Sequence, residues 1–72
     1  MKNEELIKLG KKIKIIRNQL GLSQEALAEV CAFDRTYISL LERGKRNPSY
    51  INLIKLSKGF NMTISKLLEE DN

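Results

Sequence analysis

Residues 23–44 read SQEALAEVCAFDRTYISLLERG, and most of the architecture can be predicted outward from them. Ser23 and Asp34 each carry a side-chain oxygen that accepts hydrogen bonds from the first turn of a helix, so each is typical of a helix N-cap. Apolar residues follow both caps at helical spacing. The segment therefore predicts helices over about 24–31 and 35–43, joined by a turn of about three residues.

A longer amphipathic helix is predicted before this segment, over about residues 3–19. Its apolar face is formed by residues at three- and four-residue steps: Leu6, Leu9, Ile13, Ile16 and Leu20. The expected core residues of the second helix are Leu27, Val30 and Cys31. Glycines follow the first and third helices at positions 21 and 44, where a left-handed residue commonly ends a helix.

Two further helices are predicted after the polar loop that ends at Pro48. The fourth contains Leu53, Leu56 and Phe60. It should end at Asn61, since asparagine tolerates the left-handed conformation. Thr63 is the expected cap of a short fifth helix that contains Ile64, Leu67 and Leu68. Because no strand pattern is present, the chain is predicted to be an all-α domain of five helices.

Composition limits the possible functions. A chain of 72 residues allows one domain, 1–72, with one small core. Cys31 is the only cysteine and histidine is absent, so no disulfide, metal site or cofactor is expected. The net charge of +4 favours polyanionic partners. No apolar stretch suits a membrane span or a signal peptide, so we expect no membrane partner and a cytoplasmic protein.

Two blocks of the sequence resemble the Cro and phage-repressor family, the XRE-type helix-turn-helix proteins. They are LSQEALA at 22–28 and YISLLERGKRNPS at 37–49. The resemblance covers about residues 6–68. It implies a lambda-repressor-like DNA-binding domain in which helices 2 and 3 form the helix-turn-helix, at about 23–43, with helix 3 in the major groove. It also implies a dimerisation region at about 49–68.

Within that family, the run DRTYIS at 34–39 is most similar to controller proteins of restriction-modification systems. Such proteins bind DNA as dimers and time the expression of their own gene and the endonuclease gene. The resemblance therefore implies a sequence-specific transcriptional regulator that acts as a homodimer on an inverted-repeat operator in double-stranded DNA. RNA polymerase is a further candidate partner. A phage or plasmid repressor and an antitoxin-like protein-interaction module are the alternatives.

The candidate DNA-binding residues lie in helices 2 and 3 and in the loop that follows: Gln24, Arg35, Thr36, Tyr37, Ser39, Arg43, Arg46 and Asn47. Arg35 begins helix 3 and has the planar fork that pairs with guanine O6 and N7. Thr36 offers a hydroxyl and a methyl group, and Ser39 follows one turn later. Tyr37 either reaches DNA or packs against the domain. The loop residues are expected at phosphates. The resemblance implies that Gln24 contacts a phosphate and braces helix 3.

Several residues are expected to be structural. The resemblance implies an ion pair between Arg17 and Glu42 that ties helix 1 to helix 3. Ala32 stands where the family usually has glycine, so a strained or differently shaped turn is expected, at a cost of about 1 kcal/mol. Gly59 stands where alanine is commoner, which weakens helix 4 unless close packing requires the glycine, and a close dimer contact would be one reason. Cys31 is expected to be a packed thiol.

Helices 4 and 5 carry more apolar residues than one small core can hold. The resemblance places dimer formation in the same region. The expected interface residues are Tyr50, Ile51, Ile54, Met62 and Ile64. No nucleophile and base, glycine-rich phosphate loop or clustered carboxylate pair is present, so the chain is not expected to be an enzyme and has no predicted catalytic residues.

Overall fold

The computed structural model describes residues 3–70, so the ends of the predicted domain, 1–2 and 71–72, lie outside it. Residues 3–70 form five helices and no strand: α1 (Glu4–Gln19), α2 (Gln24–Cys31), α3 (Arg35–Glu42), α4 (Tyr50–Gly59) and α5 (Ile64–Leu67). The prediction of an all-α, five-helix fold is confirmed. None of the helices in this part of the chain has the length and hydropathy that crossing a membrane requires.

Each helix begins at a polar residue whose side chain caps its first turn. Ser23 and Asp34 accept hydrogen bonds from backbone N–H groups of α2 and α3 at 3.0 and 2.9 Å, which confirms both predicted caps. Thr63 caps α5 in the same way. The side chain of Asn3 caps α1, so this helix begins at Glu4 rather than at Asn3. These local bonds explain why the helix starts could be predicted from single residues.

The helix ends are marked by C-cap residues and by residues in the left-handed region. Gly44 and Asn61 have φ of 72° and 56°, which confirms their predicted conformation. Ala32 has φ 59° and ψ 42°, so the turn keeps the left-handed shape instead of a different one. Its Cβ makes this conformation cost about 1 kcal/mol. Arg43 and Leu68, which the sequence pattern places inside α3 and α5, are instead their C-cap residues.

The core is built from all five helices, and α3 lies against two of them. The fully buried large side chains of the core are Ile13, Leu27, Ile38, Leu41, Leu56 and Leu67. The third helix packs on both α1 and α2, while α4 packs on α2 and α5. The contact between α1 and α3 is close because Gly10 has no side chain: a Cβ there would lie 2.7 Å from the carbonyl oxygen of Glu42. One face of α3 is therefore anchored and the other is left outside.

The prediction of burial in the core is wrong for two residues, Leu20 and Val30. Leu20 is 50% exposed because it lies past the last turn of α1, as the C-cap, where the helical spacing no longer applies. Val30 is 59% exposed. In α2 the buried residues are Leu27, Ala28 and Cys31, so Val30 lies at the edge of the core face and its side chain is largely in solvent.

The second and fourth helices meet where Gly59 faces Cys31. A Cβ on Gly59 would lie well inside van der Waals contact with the Sγ atom of Cys31. This confirms the expected close packing at Gly59, and the contact that accounts for it lies within the chain, so no dimer contact is needed to explain the glycine. Cys31 is buried, which confirms the predicted packed thiol, and burial raises the pKa of that thiol because desolvation penalises the thiolate.

Candidate nucleic-acid interface

The outer face of α3 is the centre of the candidate site. At about 100° per residue, Thr36, Ser39 and Arg43 share the side of the helix opposite the buried Ile38 and Leu41. Thr36 and Arg43 are exposed, and Ser39 is half-buried. This face therefore presents two short hydroxyl side chains and a guanidinium to solvent.

Arg35 lies on the edge of this face that is nearer to α2. Its Nε atom lies 3.4 Å from Oε1 of Glu25, and both side chains are more than half exposed. Ion pairs in this setting contribute little to stability because water competes for both charges. The guanidinium of Arg35 is thus held at the first turn of α3 without being buried, and a stronger acceptor could replace Glu25.

Tyr37 forms the opposite edge of the face, and three groups contact it. The ring of Phe33 lies 4.9 Å away between centroids, and the guanidinium carbon of Arg46 lies 5.5 Å from the Tyr37 centroid, a distance typical of cation–π contacts. Asn52 of α4 donates a hydrogen bond from Nδ2 to the phenolic oxygen at 3.0 Å. Tyr37 therefore packs against the domain and joins α3 to both the following loop and α4.

A buried ion pair supports α3 from the core side. Arg17 donates to Glu42 through two nitrogens, at 2.6 and 3.1 Å, and through a third to the carbonyl oxygen of Leu22 at 2.8 Å. The hydrogen bonds with Glu42 raise the pKa of Arg17 above its ordinary value. Gln24 adds a bond from its amide to Oε1 of Glu42 at 3.0 Å. The network joins α1, α2 and α3, and Gln24 is the member that braces α3 from α2.

The loop after α3 adds positive charge beside its outer face. Arg43, Arg46 and Asn47 are all exposed, and Lys45 between them is exposed as well. The following residue, Pro48, is buried and fixes the far end of the loop to the domain. The predicted phosphate-contact residues of this loop are thus grouped at one end of α3 and are accessible to a large partner.

Two residues of this surface were not predicted from the sequence. The negative charge of Glu25 suits the first turn of α2, but nothing in the local pattern indicates that it faces Arg35. Asn52 had no signal at all, because its partner Tyr37 is 15 residues away in the chain. Both contacts depend on the angles between helices, which short-range patterns do not determine.

The predicted dimer residues lie on α4, on α5 and in the turn between them. Tyr50 and Ile51 are 65% and 60% exposed. Ile54, Met62 and Ile64 are half-buried, and Met62 also packs against the core. The first turn of α4 therefore presents two large apolar side chains to solvent.

The exposed groups of the site suit the binding of a partner molecule. These groups are mainly hydrogen-bond donors and cations, which suit a partner rich in acceptors and negative charge. Across residues 3–70 there is no cluster of three or more His, Cys, Asp or Glu side chains that could hold a metal ion. The arrangement can bind an anionic surface and discriminate between hydrogen-bonding edges.

Known proteins with related sequences and structures share this arrangement of helices. A family model for the helix-turn-helix, HTH_3, matches residues 13–67. The control protein C.MunI of Mycoplasma sp is 44% identical over 69 residues, which cover 94% of this chain and 93% of that protein. The restriction-modification controller protein C.AhdI from Aeromonas hydrophila matches with a TM-score of 0.88 at 37% identity, over 90% of this chain and 98% of that one. The biofilm regulator SinR, solved in complex with DNA, matches with a TM-score of 0.78 at 34% identity, over 85% and 98% of the two chains.

Proposed function

We propose that this chain, which belongs to the helix-turn-helix family HTH_3 of DNA-binding transcriptional regulators, serves as the controller protein of a restriction-modification system. One observation carries the proposal: the outer face of α3 combines exposed hydrogen-bonding side chains with a backbone anchored on two sides. The likeness to control proteins supports the narrower assignment.

In this proposal α3 enters the major groove of double-stranded DNA and reads base edges. Arg35, at the first turn, pairs with O6 and N7 of a guanine through its planar fork. Thr36 and Ser39 contact neighbouring bases through their hydroxyl groups, and the methyl group of Thr36 suits a thymine methyl. The weak surface pair with Glu25 keeps Arg35 near this position before DNA arrives.

The surrounding residues position the protein on the DNA backbone. Arg43, Arg46 and Asn47 contact phosphates beside the groove, which adds affinity without sequence preference. Gln24 donates one amide hydrogen to Glu42 and keeps a second hydrogen for a phosphate. The ion pair of Arg17 with Glu42 holds α3 in place, since a recognition helix that shifted by about 1 Å would lose its base contacts.

A second copy of the chain completes the proposed assembly. The exposed Tyr50 and Ile51, with Ile54, Met62 and Ile64 beside them, form the dimer interface. Two-fold symmetry then places the two α3 helices about 34–36 Å apart, one turn of DNA, and requires an inverted-repeat operator. The protein acts in the cytoplasm without a catalytic step, and RNA polymerase bound at the same promoter is a further partner.

Selection from a pool of randomised duplexes tests the proposal, because it identifies the preferred operator from all sequences at once. The expected product is an inverted repeat whose half-sites are one helical turn apart. The affinity of the wild-type protein for this duplex should fall steeply between about 50 and 200 mM salt. Sedimentation at tens of micromolar should show a dimer, free and on the duplex. Tyr50→Ser with Ile51→Ser should shift it toward monomer, whereas Ile15→Ser, a matched change of an exposed apolar residue on α1, should not.

Other outcomes would point to the alternatives. Failure to enrich any duplex, together with salt-insensitive binding of a protein partner, would contradict the proposal and favour an antitoxin-like interaction module. If the enriched inverted repeat is found in the genome next to phage or plasmid genes, rather than next to endonuclease and methyltransferase genes, the regulator assignment stands and the controller assignment is wrong.

A further inference from the structure

The hydrogen bond between Asn52 and Tyr37 joins the recognition helix to α4. Nδ2 of Asn52 donates to the phenolic oxygen of Tyr37 at 3.0 Å, and both side chains are half-buried. Asn52 is fixed at its own position, because its backbone N–H is bonded to the cap residue Ser49 at 3.1 Å. The amide therefore approaches the hydroxyl from a direction set by α4.

This bond decides what the Tyr37 hydroxyl can offer to a partner. A phenolic oxygen that accepts a hydrogen bond still has its own hydrogen to donate. The hydroxyl hydrogen points away from the Asn52 amide, because an amide hydrogen already lies between Nδ2 of Asn52 and the phenolic oxygen. The other neighbours of the ring are Phe33, which is apolar, and the Arg46 guanidinium, which only donates. Among the hydrogen bonds within residues 3–70, the Tyr37 hydroxyl donates none.

We infer that Asn52 is a positioning residue that makes the Tyr37 hydroxyl a hydrogen-bond donor toward DNA, so that Tyr37 selects an acceptor on the duplex. The inference rests on the proposed function, in which the edge of α3 that carries Tyr37 borders the groove. The acceptor is either a base edge, such as guanine N7 or thymine O4, or a phosphate oxygen. Arg46, held over the ring, brings a positive charge to the same place and strengthens the preference for an acceptor.

A double-mutant cycle on the duplex enriched from the randomised pool tests this inference. Tyr37→Phe removes the donor, and Asn52→Ala removes the group that directs it. Each should weaken binding about 2- to 10-fold, as expected for one hydrogen bond. In the Tyr37→Phe background, Asn52→Ala should change the affinity by less than about twofold, because its effect passes through the hydroxyl. Thermal melts of all four proteins separate this result from a loss of folding.

Asn52→Asp provides a second variant that keeps the side-chain shape. A carboxylate only accepts, so it captures the hydroxyl hydrogen and should weaken binding at least as much as Asn52→Ala does. Wild-type affinity in Asn52→Asp would overturn the inference. An equal loss from Asn52→Ala in the presence and absence of the Tyr37 hydroxyl would also overturn it.

The same variants distinguish the two sources of the acceptor. If it is a base edge, Tyr37→Phe and Asn52→Ala should flatten the sequence preference at the same base pair of each half-site. If it is a phosphate, both should weaken enriched and random duplexes equally and leave the preference intact. A wild-type protein that enriches no duplex would overturn the proposed function and this inference together, whereas enrichment without the Asn52 effects would overturn the inference alone.

Discussion

Replacing Gly59 with alanine adds one methyl group to the contact between α2 and α4. The added carbon would lie less than 3.0 Å from the Sγ atom of Cys31, whereas ordinary contacts of a Cβ begin at 3.4 Å. Cys31 is 4% exposed, so its sulfur has no solvent to move into, and either the thiol must rotate against packed neighbours or a helix must shift. Such overpacking costs about 1–3 kcal/mol, while alanine improves helix propensity by about 1 kcal/mol. Gly59→Ala alone should therefore destabilise the fold by up to about 2 kcal/mol.

Gly59→Ala should stabilise the fold, instead of destabilising it, when the sulfur of Cys31 is absent. In a Cys31→Ala background, the nearest side-chain atom to the new methyl is Cγ1 of Val30, at an ordinary contact distance of 3.5 Å. The methyl then fills space left by the sulfur, and the propensity gain of about 1 kcal/mol remains. The coupling energy between the two positions should thus be about 1–3 kcal/mol, which is the cost of the overpacking.

Urea denaturation followed by far-ultraviolet circular dichroism measures all four proteins of this cycle. One protein concentration is used throughout, because the proposed dimerisation would make apparent stability depend on concentration. A difference of about 1 kcal/mol corresponds to about 4–8 °C in melting temperature for a domain of this size. If Gly59→Ala has the same effect in both backgrounds, or stabilises the wild-type protein, the claim that Gly59 is needed to admit Cys31 is refuted.

Three further predictions concern stability. Ala32→Gly should raise the free energy of unfolding by about 1 kcal/mol, because glycine adopts φ near 59° without strain; unchanged urea midpoints would contradict this. Removing Arg17 or Glu42 alone should cost about 3–5 kcal/mol, and replacing both with apolar residues less than either; additive melts would refute the buried pair. Burial raises the pKa of Cys31 above 9.0, so stability should fall as pH rises beyond that value, when only the unfolded thiol ionises. This fall in the free energy of unfolding, up to about 1.4 kcal/mol per pH unit, should be smaller in Cys31→Ala. Equal slopes of stability against pH in the two proteins between about pH 8 and 10 would contradict the role of the thiol.

Helix positions could be predicted because the signals that start and stop helices are local. Asp34 caps α3 through a bond to a residue two positions ahead, and Asn61 ends α4 by its own backbone conformation. Core membership depends on neighbours that are distant in the chain. Leu20 and Val30 fit the helical spacing, but one lies beyond the helix end and the other at the margin of the packed face. Periodicity alone does not locate either limit.

In the candidate site, too, some features follow from local sequence and others from the packing of the helices. The exposure of Arg35 and Thr36 at the start of α3 follows from the cap and the helical period. Their neighbours Glu25 and Asn52 follow from how α2 and α4 are placed against α3, which no short segment specifies. The pair of Arg17 and Glu42 was expected only through family resemblance, since nothing in either local pattern indicates the other.

The central claim, that α3 reads DNA sequence, is tested most directly by the base preferences of Arg35→Ala and Arg46→Ala on variants of the enriched duplex. Arg35→Ala should cost about 1–3 kcal/mol on that duplex and flatten the preference at one base pair per half-site, while binding of random duplex falls much less. Arg46→Ala should weaken all sequences about equally and reduce the salt slope by about one unit. If Arg35→Ala lowers the affinity uniformly and leaves every base preference intact, Arg35 contacts only the backbone and the account of sequence reading by α3 is contradicted.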